Sequence, residues 1–332
     1  MTQKNHSISR RNFIRATAAG ATALAFAPLA ACSPVDSGST FGGVHIGVIT
    51  YSWRSMPSTA QDIINYCKQG NITSLELMGP VAEEFAGLPP GPPIPPRKDG
   101  QTEEEEAAAA EAYLLARQEA AEKQKEWRTS CDFEKYKELK KMFDEAGIHI
   151  HTVKFSPANW SDEETDYAFK AAKVLGAGAV TNEIGDQACR RLGKFAEKHG
   201  MVAAYHNHSQ PGEQPGFNFE DFLAHSPANK LNLDVGHYFG STGKHPNELI
   251  EKLHDRIYSI HLKDKTAKNA EPSNTNRPWG EGDTPLADIL GLIKKNKWPI
   301  YADIELEYKI PEGSDAQQEI IKCVEYCKNI LV

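Results

Sequence analysis

Three short runs near the end of the chain carry residue types suited to chemistry. They are Leu231-Asn-Leu-Asp234-Val-Gly-His237, Ile260-His261-Leu-Lys263-Asp264 and Ala302-Asp303-Ile-Glu305-Leu-Glu307. Each is an apolar, strand-like run that ends in groups able to bind a metal or move a proton. Side chains alternate across a strand, so His206 shares a face with His208, His261 with Lys263, and Asp303 with Glu305 and Glu307. The residues between them, Leu262, Ile304 and Leu306, suit the opposite, apolar face. A single inward histidine is ordinarily a satisfied structural residue. Several strands ending in Asp, His and Glu at one depth weigh toward a metal site over a buried polar network.

Other residues extend this set. Glu183, in Val180-Thr-Asn-Glu183, is acidic where a core strand is usually apolar. It reads as a further ligand or a proton-transfer base, against the plainer reading of a solvated loop acid. Lys154 and Lys263 are candidates to neutralise an oxyanion, and His237 to support a ligand or donate a proton. Trp53, Arg54 and Trp127 offer an aromatic wall for a ring-shaped ligand, or ordinary packing.

To bring these groups together the chain needs parallel strands that end on one side. From Val44 onward, short β-rich runs alternate with helical patterns, with Gly70, Gly147, Gly176 and Gly200 closing helices. The strands read as His45–Ser52, Ile72–Gly79, Ile148–Phe155, Ala177–Ile184, Met201–His208, Leu231–Tyr238, Ile257–Asp264 and Ile300–Glu307. Helix starts agree: Ser58-x-x-Gln61 and Ser161-x-x-Glu164 fit capping boxes, and Thr284-Pro285 fits a cap before a first-turn proline. Eight β/α units in series predict a (β/α)8 TIM barrel over residues 44–332. Strand starts lie 24 to 30 residues apart, except for gaps of 76 after the second strand and 43 after the seventh. The larger gap holds an insertion, residues 80–130, with a stiff proline run Leu88–Pro96 and a Glu/Ala-rich helix Glu103–Trp127. Both enlargements follow a strand's carboxyl end, where barrel active sites lie, and read as lids or as decoration.

The first 32 residues are an address. Ser9-Arg10-Arg11-Asn12-Phe13-Ile14 opens a twin-arginine signal, and Leu29-Ala30-Ala31-Cys32 reads as a lipobox whose Cys32 carries the lipid, with residues 33–43 as linker. Export by the Tat pathway, a periplasmic location and a membrane attachment only through this anchor are the expectations. Net charge is −8, and the leader's four basic residues leave the remainder more acidic still, which argues against nucleic acid as a partner. The cysteines beyond Cys32 are scattered and show no zinc-site spacing; Cys323 and Cys327 fit one buried helix face.

At the strand ends the sequence resembles the xylose isomerase-like TIM-barrel superfamily, whose sugar phosphate isomerases and epimerases are joined by inosose dehydratases and endonuclease IV. Asp234-Val-Gly-His237 matches the Asp-x-x-His of strand six, His261-Leu-Lys263-Asp264 the histidine motif of strand seven, and Ile304-Glu305 the glutamate of strand eight. The strand-five position, typically glutamate, falls on His206, with His208 the alternative. The resemblance implies one divalent metal held by His206, Asp234, His261 and Glu305, and mixed N/O ligands suit Mn, Co, Zn or Fe better than Ca. It implies further that Arg277-Pro-Trp279-Gly280-Glu281-Gly282 approaches the substrate. Catalysis would then fall to Glu305, Glu183, His237 and Lys263, and substrate binding to Trp53, Arg54, Lys154, His208, Arg277, Trp279 and Glu307.

The activity implied is isomerisation or epimerisation of a free or oxidised (keto) sugar through an enediolate. With a histidine in place of one glutamate, a hydratase or lyase acting on a 3-keto sugar or 3-keto glycal is the alternative, and a non-catalytic sugar-binding lipoprotein is a third reading. The partner expected is a small sugar; a homo-oligomer is left open.

Overall fold

The computed structural model describes residues 38–96 and 100–332. The twin-arginine motif, the lipobox and Cys32 lie outside the described residues. Eight strands pair in chain order, each parallel to the next: β1 (Val44–Ile49), β2 (Ser74–Met78), β3 (His149–Lys154), β4 (Ala179–Glu183), β5 (Val202–His206), β6 (Asn229–Asp234), β7 (Ile257–Leu262) and β8 (Tyr301–Ile304). β8 pairs back onto β1, closing the sheet into a TIM barrel. Around it run α1 (Ala60–Gln69), α2 (Gly79–Ala86), α3 (Glu103–Ser130), α4 (Glu134–Glu145), α5 (Asp162–Val174), α6 (Asp186–His199), α7 (Gln210–Glu213), α8 (Phe219–Leu223), α9 (Val235–Thr242), α10 (Pro246–Leu253), α11 (Leu286–Asn296) and α12 (Ala316–Leu331).

A parallel strand covered on its outer face by helices needs apolar side chains there, which Leu231 and Leu233 of β6 and Ile260 and Leu262 of β7 supply. The helices return matching stripes: Ile63, Ile64 and Cys67 of α1, and Ile320, Cys323, Val324 and Cys327 of α12, are buried at helical spacing. All five described cysteines are free. Facing the lumen, Gly47 of β1 leaves space for Asp303: a Cβ there would fall 2.0 Å from Asp303 Oδ1.

The regular ladders stop sooner than the sequence suggests. The largest difference is at Val235–Tyr238, which begins α9 instead of extending β6. The cause is local: Asp234 Oδ1 accepts from His237 N at 2.7 Å and caps the helix, and Gly236 lets it pass against Lys263, whose Cγ would lie 2.3 Å from any Cβ at that position. The first capping box forms one residue later than expected, from Thr59 and Asp62, whereas the Ser161–Glu164 box forms as read. Thr284 caps no helix with its side chain; its Oγ1 accepts from Lys265 N instead, at 3.0 Å. The end of the expected linker is folded too: Thr40–Phe41 pairs antiparallel with Val44–His45, and Phe41 is buried.

The insertion comprises α2, the proline run and α3, and α4 then supplies the barrel's own second helix. A Thr102–Glu105 capping box starts α3, yet none of its residues is buried. Its last turn is fixed by Arg128, whose Nε is 2.7 Å from Glu83 Oε1 and whose Nη1 is 3.1 Å from Glu164 Oε1, with the guanidinium 4.0 Å from the Trp160 ring centre.

Candidate active site

Strand register sets the site. Glu183 pairs beside His206, His206 beside Asn232, Asp234 beside His261, and His261 beside Asp303. At the carboxyl ends, one side-chain atom from each of His206, Asp234, His261 and Glu305 lies within 4.8 Å of the others, and all four residues are buried. His206 Nε2 is 3.4 Å from Asp234 Oδ2 and 3.6 Å from Glu305 Oε2, and His261 Nδ1 is 2.8 Å from Glu305 Oε2. His206 Nε2 and Asp234 Oδ2 are buried without a hydrogen bond of good geometry, which is where a cation would complete them. Five carboxylates crowd this region (Glu76, Glu183, Asp234, Glu305, Glu307) against two lysines (Lys154, Lys263), a surplus of negative charge that also holds the His206 and His261 imidazoles above their ordinary pKa against the pull of burial. The mixed N/O donor set and this surplus both fit a divalent ion.

Lys263 is the main internal counter-charge. Its Nζ lies 2.9 Å from Asp234 Oδ2, 2.9 Å from Glu305 Oε2 and 2.6 Å from Glu307 Oε2. Burial would lower its pKa, but the three carboxylates prevail and hold the ammonium above its ordinary value. The same contacts outweigh burial at Asp234 and Glu305 and keep both carboxyls below the usual range.

His237 behaves differently. Burial pulls its pKa below the ordinary value against the charges of Asp234 and Glu307, so the imidazole is neutral, and neither ring nitrogen has a hydrogen bond. Its Nε2 is 3.6 Å from Glu307 Oε2.

At the rim, Glu183 gathers three donors: Lys154 Nζ at 2.7 Å, His206 Nδ1 at 3.2 Å and His208 Nε2 at 3.0 Å. Burial would raise this carboxyl, but the His206 and His208 contacts and the Lys154 charge bring it below the usual range. His206, not His208, is therefore the histidine placed with Asp234, His261 and Glu305; His208 is half-exposed above it, ring against ring at 4.8 Å.

Not every expected residue arrives. Trp53 is fully buried, with Nε1 2.8 Å from Gln317 Oε1, and so packs into the core beneath α12 in place of forming a sugar-binding wall. Trp127 packs edge-on to Tyr167 at the root of the insertion. Trp279 leans on Tyr326 of α12 and lines a cavity of about 220 Å³ with Tyr308 and Lys322, away from the four convergent residues. The loop holding Arg277, Trp279 and Gly280 is shaped by Asp264, which accepts from the backbone N–H of Gly280, Gly282 and Thr284 at 2.8, 3.0 and 3.2 Å. Arg54 does sit beside the end of the last strand, donating to Leu306 O at 2.6 Å. Asp303 turns down into the lumen, where its Oδ2 meets His151 Nε2 at 2.9 Å.

One residue was missed. Glu76, fully buried on β2, reaches His261 Nε2 at 2.7 Å and Asn232 Nδ2 at 2.8 Å. Its signal was a lone glutamate between Leu75 and Leu77 in an apolar strand.

The family model of the xylose isomerase-like TIM barrel matches residues 108–327, and the chain belongs to that family. An inosose dehydratase from Clostridium botulinum (strain Alaska E43 / Type E3) is 27% identical over 153 residues, 42% of this chain and 51% of the relative, so the chain spans about half the length of that relative. Three solved structures share the fold. The probable 3-DHS dehydratase AsbF involved in petrobactin synthesis from Bacillus anthracis aligns with a TM-score of 0.56 at 14% identity, over 85% of this chain and 98% of its own. A sugar phosphate isomerase/epimerase from Parabacteroides distasonis aligns with a TM-score of 0.53 at 18% identity, over 87% and 96%. A xylose isomerase domain protein from Alicyclobacillus acidocaldarius subsp. acidocaldarius aligns with a TM-score of 0.57 at 12% identity, over 87% and 99%.

Proposed function

We propose that the protein is a sugar isomerase or epimerase that removes a proton from the carbon beside the carbonyl of a keto sugar with the help of one divalent metal, Mn, Co, Zn or Fe. The observation that carries this reading is the convergence of His206, Asp234, His261 and Glu305 at the barrel's carboxyl mouth. Held by those four residues, the ion would polarise the sugar carbonyl and acidify the adjacent C–H.

The chain's own groups supply the rest. Glu183, ionised at any working pH and partly exposed at the rim, is placed to accept the proton. Lys263 offers a fixed positive charge beside Glu305 for the developing oxyanion. His237, whose ring nitrogens carry no hydrogen bond, would return a proton only after taking one up from solvent at the mouth as imidazolium, while Glu183 would release the proton it accepted; Glu307 holds Lys263 and faces His237, where it would favour that charge. His208, beside Glu183, and Arg54, beside Leu306, would bind sugar hydroxyls. Return of the proton to the neighbouring carbon isomerises; return to the same carbon from the other face epimerises.

A second reading is dehydration or hydration of a 3-keto sugar or 3-keto glycal. It is favoured by His206 standing where a carboxylate is typical and by the similarity to an inosose dehydratase. In that case Glu183 takes the C–H proton while His237, first charged to imidazolium by solvent, gives its proton to the departing hydroxyl, which leaves as water. A Tat-exported lipoprotein would meet free or oxidised sugars more than sugar phosphates, so both readings place the substrate among unphosphorylated sugars.

Proton NMR in D₂O of metal-loaded protein with free sugars, 3-keto sugars and 3-keto glycals tests the proposal. The expected result is deuterium at a carbon next to the carbonyl, lost on chelation and restored by metal, with the product separating isomerisation, epimerisation and dehydration. Turnover that survives complete removal of metal would refute it.

A further inference from the structure

The steps above leave the Glu76 carboxylate without a task. Glu76 lies on β2 with no exposure, and a buried carboxylate is costly unless paired. Its Oε2 is 2.7 Å from His261 Nε2 and 2.8 Å from Asn232 Nδ2. The opposite ring nitrogen, Nδ1, is 2.8 Å from Glu305 Oε2. The His261 ring is therefore strung between two carboxylates, with one nitrogen turned to the convergent centre and the other turned away. A hydrogen donated from Nε2 to Glu76 leaves Nδ1 as the nitrogen whose lone pair can serve a metal, and it fixes the plane of the ring. His206 repeats the pattern from the rim: Nδ1 meets Glu183 Oε2 at 3.2 Å, while Nε2 faces Asp234 and Glu305.

Glu76, His261 and Asp303 also lie close enough together to hold a second ion. The contacts favour a hydrogen-bonded support instead. Glu76 Oε2 already faces two nitrogens and Asp303 Oδ2 is engaged by His151 Nε2 at 2.9 Å, while Glu76 Oε1 and Asp303 Oδ1 carry no hydrogen bond.

We infer that Glu76 is a positioning residue, which holds His261 with Nε2 as hydrogen-bond donor and Nδ1 toward the metal centre. The inference rests on the metal reading proposed above. It is tested on the full chain with Zn²⁺ as probe, comparing wild type, Glu76→Gln and Glu76→Leu by competition with a chromophoric chelator, by ¹⁵N-histidine NMR and by thermal unfolding.

Wild type should show a strongly hydrogen-bonded, low-field Nε2 proton on His261 with and without Zn²⁺. Glu76→Leu should lose that proton and raise the Zn²⁺ Kd about 10–100-fold, and Glu76→Gln, whose amide oxygen still accepts, should recover part of both. Should Glu76→Leu fail to fold, Glu76→Gln carries the test, with a shifted Nε2 proton and a Kd between wild type and that range. A folded variant that binds Zn²⁺ as wild type does, or a wild-type His261 without the Nε2 hydrogen bond, overturns the role of Glu76 alone. A wild-type chain that binds no Zn²⁺ overturns the metal centre and this role with it.

Discussion

Lys263 divides one positive charge among Asp234, Glu305 and Glu307, all within 2.9 Å of its ammonium. Replacing it by methionine keeps much of the stem that packs on Gly236 but leaves three carboxylates in mutual repulsion. Lys263→Met should destabilise the metal-free chain by about 3–5 kcal/mol, as for removal of one partner from a buried ion pair. Added divalent cation should restore part of the loss, and a melting curve insensitive to both changes would contradict the charge account. Glu305 and Glu183 separate by a different measurement. Glu305→Gln should lose both metal and turnover with the fold intact. Glu183→Gln should keep the metal while kcat falls about 10²–10⁴-fold, the usual scale for a proton-transfer group. Loss of metal from the second variant would instead make Glu183 a further ligand.

At the scale of elements, the long helix α3 depends on its last turn. It buries none of its residues, so packing along its length contributes little, and Arg128 joins it to Glu83 of α2 and Glu164 of α5. Arg128→Met should strand two buried acids and cost about 3–5 kcal/mol. Hydrogen exchange should rise first across 103–130, and exchange spread evenly over the barrel would show that the clamp is not local. The same helix shows what sequence patterning conveys. Its Glu/Ala content and the Thr102–Glu105 box announce a stable helix, but nothing in its composition says which neighbours hold it, because that contact is made by residues 45 and 36 positions away.

Across the whole molecule, closure of β8 onto β1 is what turns eight local strand ends into one mouth. The four convergent residues come from β5, β6, β7 and the segment after β8, and no two are adjacent in the chain. The proposed leader belongs to this scale as well, because a twin-arginine signal with a lipobox would determine where the barrel meets its substrate. If Cys32 carries the lipid, Cys32→Ala should move the protein from the membrane fraction to the soluble periplasmic fraction. Continued membrane association would refute the lipobox reading.

By itself the sequence determined the barrel and the four residues that converge at its mouth. Alternating apolar strands, helix-closing glycines and the Asp-x-x-His and His-x-Lys-Asp spacings are local patterns, and local patterns survive in a linear string. His206, Asp234, His261 and Glu305 were legible for that reason, although His206 and His208 stood as alternatives until the fold buried one beside Asp234 and Glu305 and left the other half-exposed at the rim, past the end of β5. Other features needed the tertiary structure. Trp53 read as a sugar wall because aromatic type is visible in sequence and burial is not; its partner Gln317 lies 264 positions away. Glu76 went unread, since a glutamate in a strand shows its role only when β2 faces β6 and β7 across the lumen and its oxygen meets His261. Val235–Tyr238 read as strand until Asp234 capped a helix there, a hydrogen bond that overrides the apolar run. Type and spacing are fixed by the chain, whereas which buried charges share a proton, and which histidine nitrogen stays bare, is decided only when distant strands close into one barrel.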